Sequence, residues 1–195
     1  MSLARRLGGL LLDVESHSEP QADEQVPAAV LVALYETGDG ELHVVLTKRR
    51  ADLRRHAGEI SFPGGRRDPG DATLADTALR EAEEEIGLAR AHVSLVGALE
   101  RTSTFATNYA IHPFVGVIDG QRTWRASARE VEQVIEPSLR EVHAGRTRTQ
   151  IERRGFQFET DAYVFDGQLV WGATARILED LLARVGPLLN SRPVR

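Results

Sequence analysis

Residues 80–88 read Arg80-Glu81-Ala82-Glu83-Glu84-Glu85-Ile86-Gly87-Leu88. At about 100° per residue on a helix, Glu81, Glu84 and Glu85 fall within roughly a 100° arc. Ala75, Leu79, Ala82 and Ile86 form an apolar stripe beside that arc, and Glu83 lies away from it. A helix over 71–86 therefore packs by one face and presents three carboxylates on another, with Gly87 placed for a left-handed C-cap. Three like charges at i,i+3 and i,i+4 spacing repel. A divalent cation removes the conflict, and hard oxygen ligands with room for water suit Mg²⁺ or Mn²⁺. Most acidic runs on helices are solvated faces. This one is set apart by Gly64-Gly65 upstream, where an unusual backbone lets a free carbonyl join a ligand shell and amides face phosphate.

Working outward, Ala28 to Tyr35 is a continuous apolar run, the pattern of a strand buried on both faces. Thr37-Gly38-Asp39-Gly40 predicts a turn and Glu41 to Thr47 a second strand, together a hairpin. Lys48 to Ala57 reads as a basic loop, and Ile60-Ser61-Phe62 as a short extended piece ended by Pro63-Gly64-Gly65. Val93 to Leu99, Phe114 to Ile118, Val131 to Ile135 and Phe158 to Phe165 are further strand candidates. Thr174 to Val185 closes the chain as a helix with Ile177, Leu178, Leu181, Leu182 and Val185 on one stripe. Strands before and after one central helix, with a last helix over the sheet, make an α/β layered domain with a mixed sheet. Residues 1–27 read as a short amphipathic helix and a polar connecting segment, and 28–195 as the domain proper.

The 195 residues suit one such domain. No apolar run approaches the roughly 20 residues that span a bilayer, so no membrane partner is expected. Cysteine is absent, which excludes thiolate metal sites and cysteine nucleophiles and makes an intracellular, cytoplasmic setting the expectation. A net charge of −5 disfavours nucleic acid held by bulk charge. Against that acidic background, Lys48, Arg49, Arg50, Arg54, Arg55, Arg66 and Arg67 form a local basic group, suited to a ligand with several phosphates.

Gly65, Asp71 and the run from Arg80 to Leu88 resemble the signature of the Nudix hydrolases: Gly, five residues, Glu, seven residues, Arg-Glu-aliphatic-x-Glu-Glu-x-Gly-aliphatic. Asp71 stands where the family has Glu, and eight residues rather than seven separate it from Arg80. The stretch from Leu46 to Gly65 is similar to the motif of the coenzyme A pyrophosphatase subgroup, Leu-Leu-Thr-x-Arg-Ser/Ala-x3-Arg-x3-Gly-x3-Phe-Pro-Gly-Gly. Arg49, Arg54, Gly58 and Phe62 to Gly65 fit it, while Val45 and Arg50 depart. Trp171 to Leu178 resembles the start of that subgroup's final helix, so the likeness spans 28–182.

The resemblance implies a Nudix-type α/β/α sandwich with a mixed central sheet. It also implies metal-dependent hydrolysis of the diphosphate bond of coenzyme A or its thioesters, giving 3′,5′-ADP and 4′-phosphopantetheine or its acyl form. The alternatives are a diphosphatase for another nucleoside diphosphate derivative, or a nucleotide-sensing module without turnover. In the family's terms Glu81, Glu84 and Arg80 are the catalytic group, with Arg80 orienting a glutamate through a forked hydrogen bond. Glu81, Glu85, Glu84 and the Gly65 carbonyl hold Mg²⁺ or Mn²⁺, and Lys48, Arg49, Arg54 and Arg66 bind substrate. Arg49 and Arg54 are matched to the 3′-phosphate of coenzyme A. The family's general base is not fixed: some members use a glutamate of the signature and others a carboxylate on a distant loop, for which Glu130, Glu132 and Glu136 are the candidates here.

Overall fold

Residues 2–20, 25–53, 57–104, 108–119, 123–153 and 155–189 are described by a computed structural model. The chain opens with two short helices, α1 (Leu3–Gly8) and α2 (Val14–His17). The central strand β1 follows, over Val26–Glu36. Its alternation explains why the run reads as continuously apolar. Ala29, Leu31, Ala33 and Tyr35 enter one core, Val32 and Leu34 another. Beyond the turn, the expected single strand over 41–47 is two: β2 (Leu42–Val44), paired with β1, and β3 (Leu46–Arg49), paired in a different sheet. The chain crosses between sheets at Val45, which is fully buried and donates its backbone N–H to the Ala33 carbonyl. Lys48 and Arg49 are accordingly strand residues rather than loop residues.

β4 (Ile60–Ser61) pairs with β3. Gly64 and Gly65 are not a turn but part of β5 (Gly64–Arg66), which pairs antiparallel with the start of β1. Glycine is needed there for close approach. A Cβ at Gly64 would meet the Ala29 carbonyl oxygen and lie 2.6 Å from the Val30 Cα. The acidic run lies on α3 (Leu74–Ile86), three residues shorter at its start than expected. Thr73 is its N-cap in a reciprocal capping box with Asp76, which leaves Asp71 outside the helix. At the other end Gly87 takes φ 70°, and Gly87 and Leu88 donate to the Glu83 and Ala82 carbonyls, a left-handed glycine closure of the αL type.

The remaining strands are β6 (Val93–Ala98), β7 (Thr102–Ser103), β8 (Tyr109–Ile118) and β9 (Val131–Ile135). After α4 (Leu139–Ala144) come β10 (Arg146–Arg153), β11 (Phe156–Phe165) and β12 (Gln168–Trp171), and then α5 (Gly172–Leu189). The main sheet runs β2-β1-β8-β6, with β5 on β1 and β7 on β8. β1 and β8 are parallel and the other pairs antiparallel, so the sheet is mixed. Two three-stranded sheets, β4-β3-β9 and β10-β11-β12, flank it. Helix α4, β10 and β12 were not foreseen; β10 (Arg-Thr-Arg-Thr-Gln-Ile-Glu-Arg) carries almost no apolar signal, and α4 and β12 are only six and four residues long.

One core lies between the main sheet and α3, through Leu74, Ala78, Leu79, Ala82 and Ile86. The other lies under α5, through Ile177, Leu178 and Leu181, and takes in Leu3 and Leu7 of α1. Full burial of one such Leu or Ile contributes about 2 kcal/mol. The arrangement is an α/β sandwich with a mixed central sheet. Among the described residues no helix is long and apolar enough to cross a membrane.

Candidate active site

Because the apolar stripe of α3 is committed to the sheet, the three carboxylates take unequal places. The Glu85 residue is 6% exposed, while the Glu81 side chain is 18% exposed and that of Glu84 is 62% exposed. Glu85 accepts a long hydrogen bond, 3.4 Å, from the Gly64 backbone N–H. Burial, reinforced by the charge of Glu81, pushes its carboxyl up to about 8. Burial also raises Glu81, against the opposing pull of Arg80. Gly65 lies against Glu81 so closely that an added Cβ would fall on the Glu81 carboxylate.

Arg80 does not spend its fork on a glutamate. Its Nε and Nη2 donate to Asp71 Oδ1 and Oδ2 at 2.9 and 3.0 Å, a bidentate pair. Nη2 also donates to the Arg66 carbonyl at 3.2 Å. That leaves Nη1 for Glu81 at 3.0 Å and Glu84 at 3.4 Å. Asp71 is itself buried and accepts from the Asp68 N–H and the Thr77 hydroxyl. These donors, Arg80 foremost, hold its carboxyl down at about 2. Asp71 therefore acts through Arg80. Sequence reasoning left its role open, because the contacts of Asp71 with Arg80 and with the fully buried Thr77 exist only in the fold.

A fourth carboxylate arrives from far along the chain. Ser127 and Arg125 donate backbone N–H groups to the Glu85 and Ile86 carbonyls, which stitches the segment before β9 onto the end of α3. Glu130 sits at the close of that segment, 3.3 Å from Arg49 Nη1, and its charge raises both Glu81 and Glu85. Of the other two base candidates, Glu132 faces Lys48 at 3.8 Å, and Glu136 uses its carbonyl on His43.

The basic group is less free than its composition suggests. Lys48 faces Glu132, Arg49 faces Glu85 and Glu130, and Arg50 forms a fork with Asp52. Arg67 donates to the Asp71 and Ala72 carbonyls. Arg66 is exposed, and among the described residues its side chain has no such partner. Arg54, Arg55 and His56 lie outside the described residues.

Among the described residues no group of three or more acidic or histidine side chains is already arranged to hold a metal ion. The donor chemistry nevertheless fits one. The oxygens are hard, the repulsion between Glu81 and the buried Glu85 is what a cation would relieve, and Gly65 leaves room beside Glu81. Gly65→Ala is expected to fold normally, because the flexible end of Glu81 can yield, and to lose about tenfold in turnover as that carboxylate is displaced. A thermal melt read beside kcat checks both halves.

The NUDIX domain family matches this chain over residues 25–155. The uncharacterized Nudix hydrolase NudL of Shigella flexneri serotype 5b (strain 8401) is 36% identical over 178 residues, covering 90% of each chain. Among solved structures, a MutT/nudix family protein from Enterococcus faecalis superposes with a TM-score of 0.57 at 18% identity, over 96% of this chain and 70% of that one. The NUDIX domain of Shewanella oneidensis NrtR complexed with ADP ribose superposes with a TM-score of 0.50 at 20% identity, over 74% of this chain and 88% of that one.

Proposed function

This chain belongs to the Nudix hydrolase family, whose members generally need a divalent metal ion to hydrolyse nucleoside diphosphate derivatives, and on that premise we propose that its substrate is coenzyme A or a coenzyme A thioester. The products are 3′,5′-ADP and 4′-phosphopantetheine, acylated where the substrate was. One observation carries the reading. The stretch from Leu46 to Gly65, similar to the coenzyme A pyrophosphatase motif, forms β3, β4 and β5, so that Arg49 and Gly64-Gly65 border the carboxylates of α3. We take residues 28–195 as the hydrolase domain and 1–27 as its lead-in, and a cytoplasmic setting as the working one.

Glu81 and Glu85, with Glu84 and the Gly65 carbonyl at the rim, would hold Mg²⁺ or Mn²⁺. Such an ion supplies charge neutralisation at the bridging phosphates and acidifies a bound water. The protein's own part is to position and to move a proton. Arg80, anchored by Asp71, aims Glu81. Glu130 takes the proton of the attacking water, and Arg66 meets substrate phosphate. The water oxygen bonds to one bridge phosphorus, and the bond from that phosphorus to the bridging oxygen breaks, its electron pair leaving on the other phosphate.

Hydrolysis in oxygen-18 water tests this. The label is expected in one phosphate of the two products at the former bridge, and not in the ribose 3′-phosphate. Label in free inorganic phosphate would mark a phosphomonoesterase and overturn the reading. Turnover of other nucleoside diphosphate derivatives with coenzyme A untouched would reassign the substrate. Binding without turnover in saturating Mg²⁺ would instead favour a sensing module.

A further inference from the structure

The carboxylates of the site are served by two arginines of different standing. Arg80 has five oxygen-bearing partners: the Asp71 fork, the Arg66 carbonyl, Asp68, Glu81 and Glu84. Among the described residues Arg49 reaches only carboxylates of the site itself, with Nη1 at 3.3 Å from Glu130 and 3.9 Å from Glu85. Its Nε is buried and has no hydrogen-bond partner among the described residues. A donor in that condition is costly at rest and is satisfied only if something arrives.

The backbone that carries Arg49 is set for this position. Between Lys48 and Arg49 the β3–β9 register slips, so Lys48 faces Gln133 and Arg49 faces Val131, with Glu132 left over as a bulge. The Arg49 and Arg50 N–H groups are locked onto the Glu59 and Glu130 carbonyls.

Formally Glu81, Glu84, Glu85 and Glu130 bring four negative charges, and Arg80 and Arg49 bring two positive ones. A divalent ion held by Glu81 and Glu85 leaves Arg49 beside a cation instead of a bare carboxylate. Arg80 is pinned by Asp71, so the side chain that gives way is Arg49. A diphosphate is the ligand that a guanidinium released there suits, through two parallel N–H···O bonds that would also employ Nε.

We propose that Arg49 is an internal counter-cation of the site's carboxylates, holding the metal ligand Glu85 and the base Glu130 while the divalent ion is absent and passing to the substrate's diphosphate when it is bound. This rests on the family reading of α3 but not on coenzyme A as the substrate. It also moves Arg49 away from the 3′-phosphate to which its motif position had matched it. A phosphate-specific role is left to Arg66 among the described cations.

The test uses Mn²⁺ alone on the full chain without nucleotide, read by electron paramagnetic resonance. Arg49→Met keeps the bulk of the stem without its charge. Removing a positive charge about 4 Å from a ligand carboxylate is expected to tighten Mn²⁺ binding roughly fivefold. Arg49→Lys, which keeps the charge, is expected to stay within about twofold of the parent, and a thermal melt shows that both variants fold. Unchanged or weaker Mn²⁺ binding in Arg49→Met overturns the counter-cation role.

With Mn²⁺ saturating, affinity for α,β-methylene-ADP is expected to fall about tenfold in Arg49→Met. No change there overturns the transfer to diphosphate. Because neither measurement involves coenzyme A, a failure of the substrate assignment leaves both readouts intact.

Discussion

Glu85→Gln is expected to lower turnover about a thousandfold or more while leaving the fold intact. The side chain keeps its size on a helix whose capping and packing it does not make, but the site loses the most buried of its carboxylates. Stability should move the other way in metal-free protein. Glu85 in the folded chain titrates near 8, against about 4.3 in an unfolded chain. Between those values the folded state holds more protons than the unfolded one. Stability therefore falls as pH rises through that window, by a few kcal/mol in all. Glutamine has no such slope. In a chelating buffer the variant should melt with the parent near pH 4 and above it at pH 8. Near-normal turnover in saturating Mg²⁺ would remove Glu85 from the site. Glu83→Gln is the control, since Glu83 is exposed and turned away from the cluster. It is expected to stay within about twofold of the parent.

Asp71→Ala should be the most destabilising change around the site, by about 3 kcal/mol. It strands a partly buried guanidinium together with the Thr77 hydroxyl and the Asp68 N–H. Turnover should fall about a hundredfold, because Arg80 no longer aims Glu81. Asp71→Asn separates charge from packing. The parent's Asp71 carboxyl is held at about 2, against about 3.9 in an unfolded chain. Its charge-dependent contribution, on the order of 2 kcal/mol, is therefore present above pH 4 and lost as pH falls towards 2. The stability gap between parent and Asp71→Asn should close over that same window, which denaturant midpoints at pH 5, 4 and 3 would show. A gap that does not vary with pH would mean that Asp71 supports the loop by shape alone.

Several elements could be read directly because their signals are local. The period of Ala75, Leu79, Ala82 and Ile86 set the buried face of α3, and the glycine after Ile86 set its end. β9 over Val131–Ile135 and the apolar body of β1 were legible for the same reason. The start of α3 was misplaced because Asp71 and Thr73 are both plausible caps, and only the long-range demand of Arg80 assigns Asp71 elsewhere. The split at Val45 was invisible because a strand buried on both sides looks the same whether it stays in one sheet or crosses to the next.

The order of residues by itself determined which side chains could carry the chemistry: three carboxylates on one arc of a helix, glycines able to approach them, and arginines close upstream. Those are consequences of the helical period and of what a residue without a Cβ permits. Only the tertiary structure decided which charges meet. Asp71 takes the fork of Arg80, Glu130 crosses from 45 positions beyond Glu85 to share Arg49 with it, and Glu85 rather than Glu84 goes under cover. The physical reason is that pairing and burial depend on distance and dielectric between groups far apart in the chain, quantities that no local period contains.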